Sequence, residues 1–211
     1  MSPTLNFNEI FSIASNASSI KDLEKLINCN SFLQKAIKDF EDKYPVVDLT
    51  ITPIEIEELK RMNLLTETNF INLSIPQKFS SFERLLLAAL WKNGHIKRIK
   101  PIADGIVDNN VGQSKYGLVF RQFGKSLAND EEPIIDQHVL RAFYQFYYQP
   151  NYKITKPFPT NRALNDSDED LVREYVTWFK GIVSKINPEE KKEFKYKLDK
   201  ILFAIGKSLK L

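Results

Sequence analysis

The C-terminal stretch constrains the fold most. Phe194, Leu198, Ile201, Leu202 and Ile205 recur at intervals of three and four residues, the spacing of one face of an α-helix. Asn187-Pro188-Glu189-Glu190 precedes them. That order places a capping side chain first, a proline in the first turn and acids near the positive end of the helix dipole. The same syntax recurs along the chain. Thr52-Pro53-Ile54-Glu55, Ser80-Ser81-Phe82-Glu83, Ser19 to Asp22 and Ser167-Asp168-Glu169-Asp170 each set a cap before an apolar periodic run. Val46 to Ile51 alone has β character, and a single short strand has no partner, so it reads as an extended connector. With only 7 glycines in 211 residues, the expected fold is all-α.

Leu23, Leu26 and Ile27 form one stripe, and Phe32, Leu33, Ile37 and Phe40 the next, ended by Tyr44-Pro45. Residues 66–79 are polar and irregular. Leu85 to Trp91 is apolar nearly all round, which predicts a helix buried all round at the centre of the core. Asn93-Gly94 closes it. His95 to Val107 is a basic amphipathic segment, Asp108 to Ser114 a turn-rich loop, and Tyr116 to Ala128 a further helix. Tyr148 to Asn165 holds Pro150, Pro157 and Pro159 and reads as an irregular crossing between lobes. A single two-lobed domain is expected, with residues 80–148 as one lobe and 1–79 with 149–211 as the other.

Composition excludes several classes. Cys29 is the only cysteine, and His95 and His138 are the only histidines. No internal disulfide, zinc site or iron–sulfur cluster can be assembled from them. Carboxylates leave magnesium open, but no cofactor is expected. No apolar run approaches a membrane span, and Met1 to Asn6 lacks the basic and apolar regions of a signal peptide. A cytoplasmic monomer is the expectation. The formal net charge is +3, which permits nucleic acid without requiring it.

Charge is uneven, however. Between Arg84 and Lys125 stand eight basic residues (Arg84, Lys92, Lys97, Arg98, Lys100, Lys115, Arg121, Lys125) against Asp104 and Asp108, a local excess of +6. These are either solvated helix faces or a phosphate-contacting surface. Within the span, Asn110-Val111-Gly112-Gln113-Ser114 suits a turn between two helices. A glycine there allows close backbone approach, and the free N–H groups of the next helix can face a phosphate. Pro133-Ile134-Ile135-Asp136-Gln137-His138-Val139-Leu140-Arg141 follows. An aspartate where a helix begins is ordinarily its cap; the same bonds would also hold a catalytic carboxylate rigid. Phe120, Phe123, Tyr144, Phe146, Tyr147 and Tyr148 could form a stacking wall, but their spacing is that of core residues.

This order of features resembles the helix–hairpin–helix DNA glycosylases, the superfamily of endonuclease III and 8-oxoguanine glycosylase. Val111 to Gly117 stands where that family has its Leu-Pro-Gly-Val-Gly hairpin. Ile135-Asp136-Gln137-His138-Val139-Leu140-Arg141 is similar to its Val-Asp-Thr-His-Val and following Arg. Residues 80–148 carry these motifs, and 167–207 resemble the family more loosely. One of the two hairpin glycines is present, and Lys115 stands three residues after Gly112, where the family lysine stands two after. The resemblance implies Asp136 as catalytic aspartate and Lys115 as the amine nucleophile of the members with lyase activity. It also implies Val111, Gly112, Gln113 and Ser114 as the hairpin on DNA, flanked by Lys97, Arg98, Lys100, Arg121 and Lys125. The implied activity is cleavage of the N-glycosidic bond of a damaged nucleotide, such as an oxidised purine, flipped out of double-stranded DNA. A non-catalytic DNA-binding domain of the same fold and a helical protein-interaction module are the alternatives.

Overall fold

The structure, a computed structural model, describes residues 6–44, 49–107, 117–153, 158 and 168–209. The described residues are all-α. Their single β feature is an isolated antiparallel bridge between Leu65 and Ile71. No helix is long and apolar enough to cross a membrane among these residues. Contacts divide the chain into two compact units, residues 1–48 with 133–211, and residues 49–132. This differs from the division at 79/80 and 148/149 that the motifs suggest. The Asp136 segment goes with the first unit because the helix it opens packs on the C-terminal helix, whereas the basic stretch belongs to the second.

The first unit contains α1 (Phe7–Ser15), α2 (Ile20–Asn28), α3 (Ser31–Lys43), α8 (Gln137–Phe143), α9 (Gln149–Tyr152), α10 (Glu169–Val183) and α11 (Lys191–Ser208). The C-terminal stripe behaves as its spacing predicts. Phe194, Leu198, Ile201, Leu202 and Ile205 are each 0% exposed, and α11 packs against α1, α2, α3, α8 and α10. Burying five such side chains stabilises the unit by roughly 10 kcal/mol before the cost of ordering the chain. Phe143 is the aromatic hub, with ring centroids 5.0 Å from Tyr147, 5.2 Å from Trp178 and 5.3 Å from Tyr175. Tyr147 is therefore a half-buried member of this cluster. The irregular crossing expected from Tyr148 begins later. A π-helical turn over Tyr144–Tyr148 carries α8 into α9, with Pro150 in its first turn, where a proline needs no N–H partner.

The second unit contains α4 (Pro53–Arg61), α5 (Ser81–Lys92), α6 (Ile99–Ile106) and α7 (Leu118–Ala128). Thr52 with Glu55 and Ser80 with Glu83 form the predicted reciprocal capping boxes. Ile56, Leu65, Ala103 and Ile106 make the core. Gly105 faces the Arg121 carbonyl and Gly124 the Ile102 carbonyl so closely that a Cβ at either would overlap backbone. The pairing 105–121 and 102–124 runs in opposite directions, so α6 and α7 are antiparallel and nearly in backbone contact. Gly117, at φ +108°, caps the start of α7 in the left-handed region that glycine tolerates.

One expectation is overturned. α5 is not a core helix: none of its residues is buried, and Phe82, Leu85 and Trp91 are 67%, 66% and 72% exposed. Only Glu83, Leu87 and Leu90, spaced as one helix face, are partly covered. Apolar composition measures how much a helix would gain from burial, not whether a neighbour covers it.

Candidate active site at the start of the eighth helix

Pro133 and Ile135 are buried and Ile134 is exposed, the alternation of an extended segment. Asp136 follows with extended backbone and caps α8. Its Oδ1 accepts from the His138 N–H at 2.7 Å and the Val139 N–H at 2.8 Å. Both bonds fall on one oxygen; Oδ2 accepts from no described residue. The carboxylate is thus fixed through one oxygen, and no described residue engages the other. Burial pushes the Asp136 carboxyl above its ordinary value, against the Val139 and His138 N–H groups and the charges of His138 and Arg141, which favour the anion.

Burial lowers the His138 imidazole below its ordinary value, with Asp136 opposing that shift and Arg141, Lys207 and Lys43 reinforcing it. Its Nδ1 is buried and makes no hydrogen bond, and its ring meets the edge of Phe203 at 5.0 Å. Arg141 does not pair with Asp136 or Asp130. Its Nη1 donates to the carbonyl oxygens of Gly206 at 3.0 Å and Leu209 at 3.4 Å, a cation at the negative end of α11. Gly206 makes this possible, because a Cβ there would overlap the His138 carbonyl. The closing turns of α11 therefore lie against the first turn of α8.

The same face of α11 brings in two groups that the motifs do not identify. Asp199, Leu202, Phe203 and Gly206 are spaced as one face, so Asp199 shares the surface that meets α8. Burial pushes its carboxyl up to about 8, aided by the charge of Asp136 and opposed by Lys200. Tyr175 of α10 is 0% exposed, and burial with the charges of Asp199 and Asp136 raises its phenol further. Asp199 Oδ1 and the Tyr175 hydroxyl are both buried without a hydrogen-bond partner. The sequence signal was an aspartate inside the most regularly buried helix of the chain.

Lys115 and the hairpin residues Val111, Gly112, Gln113 and Ser114 lie outside the described residues. The basic residues of the second unit have several fates. Lys97 is exposed. Arg98, also exposed, lies over the Phe120 ring at 4.7 Å. Lys100 is tied at 2.6 Å to the buried Asp104, whose other oxygen accepts from Asn69 Nδ2 at 2.8 Å. Lys100 is therefore a structural cation of α6. Arg121 is half-buried, with an unpartnered Nε, and Lys125 is half-buried on α7. Arg84 donates to the Phe79 carbonyl and the Ser81 hydroxyl. No group of three or more metal-ligating side chains occurs among the described residues.

No family model, curated protein or solved structure matches this chain.

Proposed function

We propose that this chain is a helix–hairpin–helix DNA glycosylase that flips a damaged nucleotide from double-stranded DNA and cleaves its N-glycosidic bond. The observation that carries the reading is the Asp136 cap: a carboxylate anchored through Oδ1 by two backbone N–H groups, with no described residue bonded to Oδ2. Cleavage builds positive charge on the sugar as the C1′–N bond breaks and its electron pair leaves with the base, which takes up a proton. A fixed carboxylate beside the sugar stabilises that charge without reorganising as it develops. Water then adds at C1′, or the Lys115 amine does so, losing a proton; O4′ then departs with a proton and leaves a Schiff base. The close antiparallel contact of α6 and α7 suits the two helices that would flank a DNA-binding hairpin at residues 110–114. Lys97 and Arg98 stand at the start of that element, while the Lys100 ion pair removes one phosphate contact from it.

The test is incubation with duplex oligonucleotides carrying single lesions, oxidised purines first, followed by borohydride reduction. Base release supports the reading, and a trapped covalent adduct lost in Lys115→Ala adds the lyase step. Duplex binding with no base release on any lesion favours the non-catalytic DNA-binding alternative. A second reading, a module that docks a protein partner, rests on α5, where Phe82, Leu85, Leu86 and Ala89 form an exposed stripe at helical spacing. Failure to bind duplex DNA at low salt favours it.

A further inference from the structure

The two N–H groups that hold Asp136 belong to the first turn of α8, and that turn meets the end of α11. Gly206 lies against the His138 carbonyl so closely that a Cβ would stand 1.8 Å from its oxygen. In return, Arg141 Nη1 donates to the Gly206 carbonyl oxygen at 3.0 Å and the Leu209 carbonyl oxygen at 3.4 Å. One turn back on α11, the Phe203 ring meets the His138 ring edge-on at 5.0 Å. Residues 203, 206 and 209 thus engage His138 and Arg141, which stand on either side of Val139 within one turn of α8. A helix leaves its last carbonyls without donors of its own. A guanidinium supplies the donor here, at the end where the helix dipole favours a cation. Arg141 makes no described ion pair with a carboxylate, so these carbonyls are its described hydrogen-bond partners.

We propose that Arg141 is a positioning residue for Asp136: it clamps the last turns of α11 onto the first turn of α8, and the clamp fixes the two N–H groups that set the carboxylate. Contacts join every step. Asp136 Oδ1 is set by the His138 N–H at 2.7 Å and the Val139 N–H at 2.8 Å. The His138 carbonyl rests on Gly206, and the Gly206 carbonyl is held by Arg141. Arg141 stands three residues after His138, so the circuit closes within two helices. The first turn of a helix opens at little cost when nothing holds it. The segment before α8 is extended and makes no helical bonds, so the α11 contact is what restrains this turn. Glycine at 206 lets the two backbones meet, and the guanidinium holds them there. Arg141 touches neither substrate nor reacting atoms; it acts through the N–H groups on the cap. Only the consequence for excision rests on the proposed function; the hold of the clamp on the cap does not.

The test compares the full chain with Arg141→Met and Arg141→Lys. Methionine keeps the length of the side chain and its contact with the Phe158 ring but removes the donors; lysine restores a cationic donor. Amide hydrogen exchange followed by NMR reads the cap without any activity. Exchange at His138 and Val139 is expected to rise about ten- to a hundredfold in Arg141→Met, the effect of losing a charged hydrogen bond. This rise exceeds any change at the Phe179 amide in the buried face of α10, and most of it is reversed in Arg141→Lys. Gly206→Ala, which opens the crossing from the α11 side, is expected to raise the same two amides, so the test does not depend on one variant folding. In excision assays Arg141→Met is expected to lower turnover at least about tenfold with duplex affinity within about twofold of the wild type, because a displaced carboxylate costs rate rather than binding. Overturning results are His138 and Val139 amides that exchange as in the wild type or change only in step with Phe179, or an excision rate unaltered by Arg141→Met. If the wild type excises no lesion, the glycosylase reading fails and the exchange measurement alone decides the clamp.

Discussion

Replacing Asp199 by asparagine exchanges an acid that the interior keeps protonated for a neutral group of the same shape. In the folded chain the Asp199 carboxyl titrates at about 8, against an ordinary value of 3.8. The unfolded chain therefore releases this proton as pH rises through about 4, while the folded chain retains it until about 8. The associated stability is fully present below pH 4, falls by about 1.4 kcal/mol per pH unit as pH rises toward 8, and is flat beyond. The penalty reaches roughly 2 kcal/mol at pH 5 and roughly 4 kcal/mol at pH 7. The asparagine of the variant carries no such penalty, but its amide adds a donor to the pocket, which costs about 1–2 kcal/mol if it finds no acceptor. Asp199→Asn is thus expected to be more stable than the wild type at pH 7 by about 2–3 kcal/mol and less stable than it near pH 4. Urea denaturation of both proteins at successive pH values, with equal slopes, measures this. A stability difference that does not change between pH 4 and pH 8 refutes the reasoning, because it means the carboxyl titrates alike in the folded and unfolded chains.

Further perturbations probe the rest of the structure. Gly206→Ala drives a methyl into the His138 carbonyl at the α8–α11 crossing and is expected to destabilise by about 1–3 kcal/mol in thermal melts. Lys100→Ala strands the buried Asp104 and should cost about 2–4 kcal/mol of stability, less than a fully buried pair because Lys100 is partly exposed, without changing the salt dependence of DNA binding. Lys97→Ala, by contrast, leaves stability unchanged and lowers the salt slope by about 1. Leu85→Gln on the exposed face of α5 is expected to shift stability by no more than about 0.5 kcal/mol, whereas a core position would lose several.

Helix placement was legible because caps and stripes are local. Thr52 with Glu55 before α4 and Ser80 with Glu83 before α5 satisfy N–H groups that the helix itself leaves open. Asn187 before α11 does this for a turn instead, its Oδ1 accepting from the Glu189 N–H. Asp136 was legible for the same reason, and its capping bonds stand as the sequence predicts. What depended on a neighbour was not legible. The exposure of α5, the attachment of Lys100 to Asp104 and of Arg141 to the end of α11 all turn on which surfaces meet. Asp199 escaped notice because an aspartate within a helical stripe does not declare its face. Gly206, seven residues on and thus on that same face, was the available clue, since a glycine inside a helix marks a close backbone approach.

Excision by the wild type and by Asp136→Asn, side by side, tests the glycosylase reading most directly. Asparagine caps a helix about as well as aspartate, so the variant should fold and bind duplex DNA like the wild type while losing the charge that stabilises the sugar cation. The expected result is release of an oxidised purine from duplex DNA by the wild type, reduced at least about 100-fold in Asp136→Asn with DNA affinity retained. Base release that persists undiminished in Asp136→Asn would contradict the assignment of Asp136 as the catalytic carboxylate.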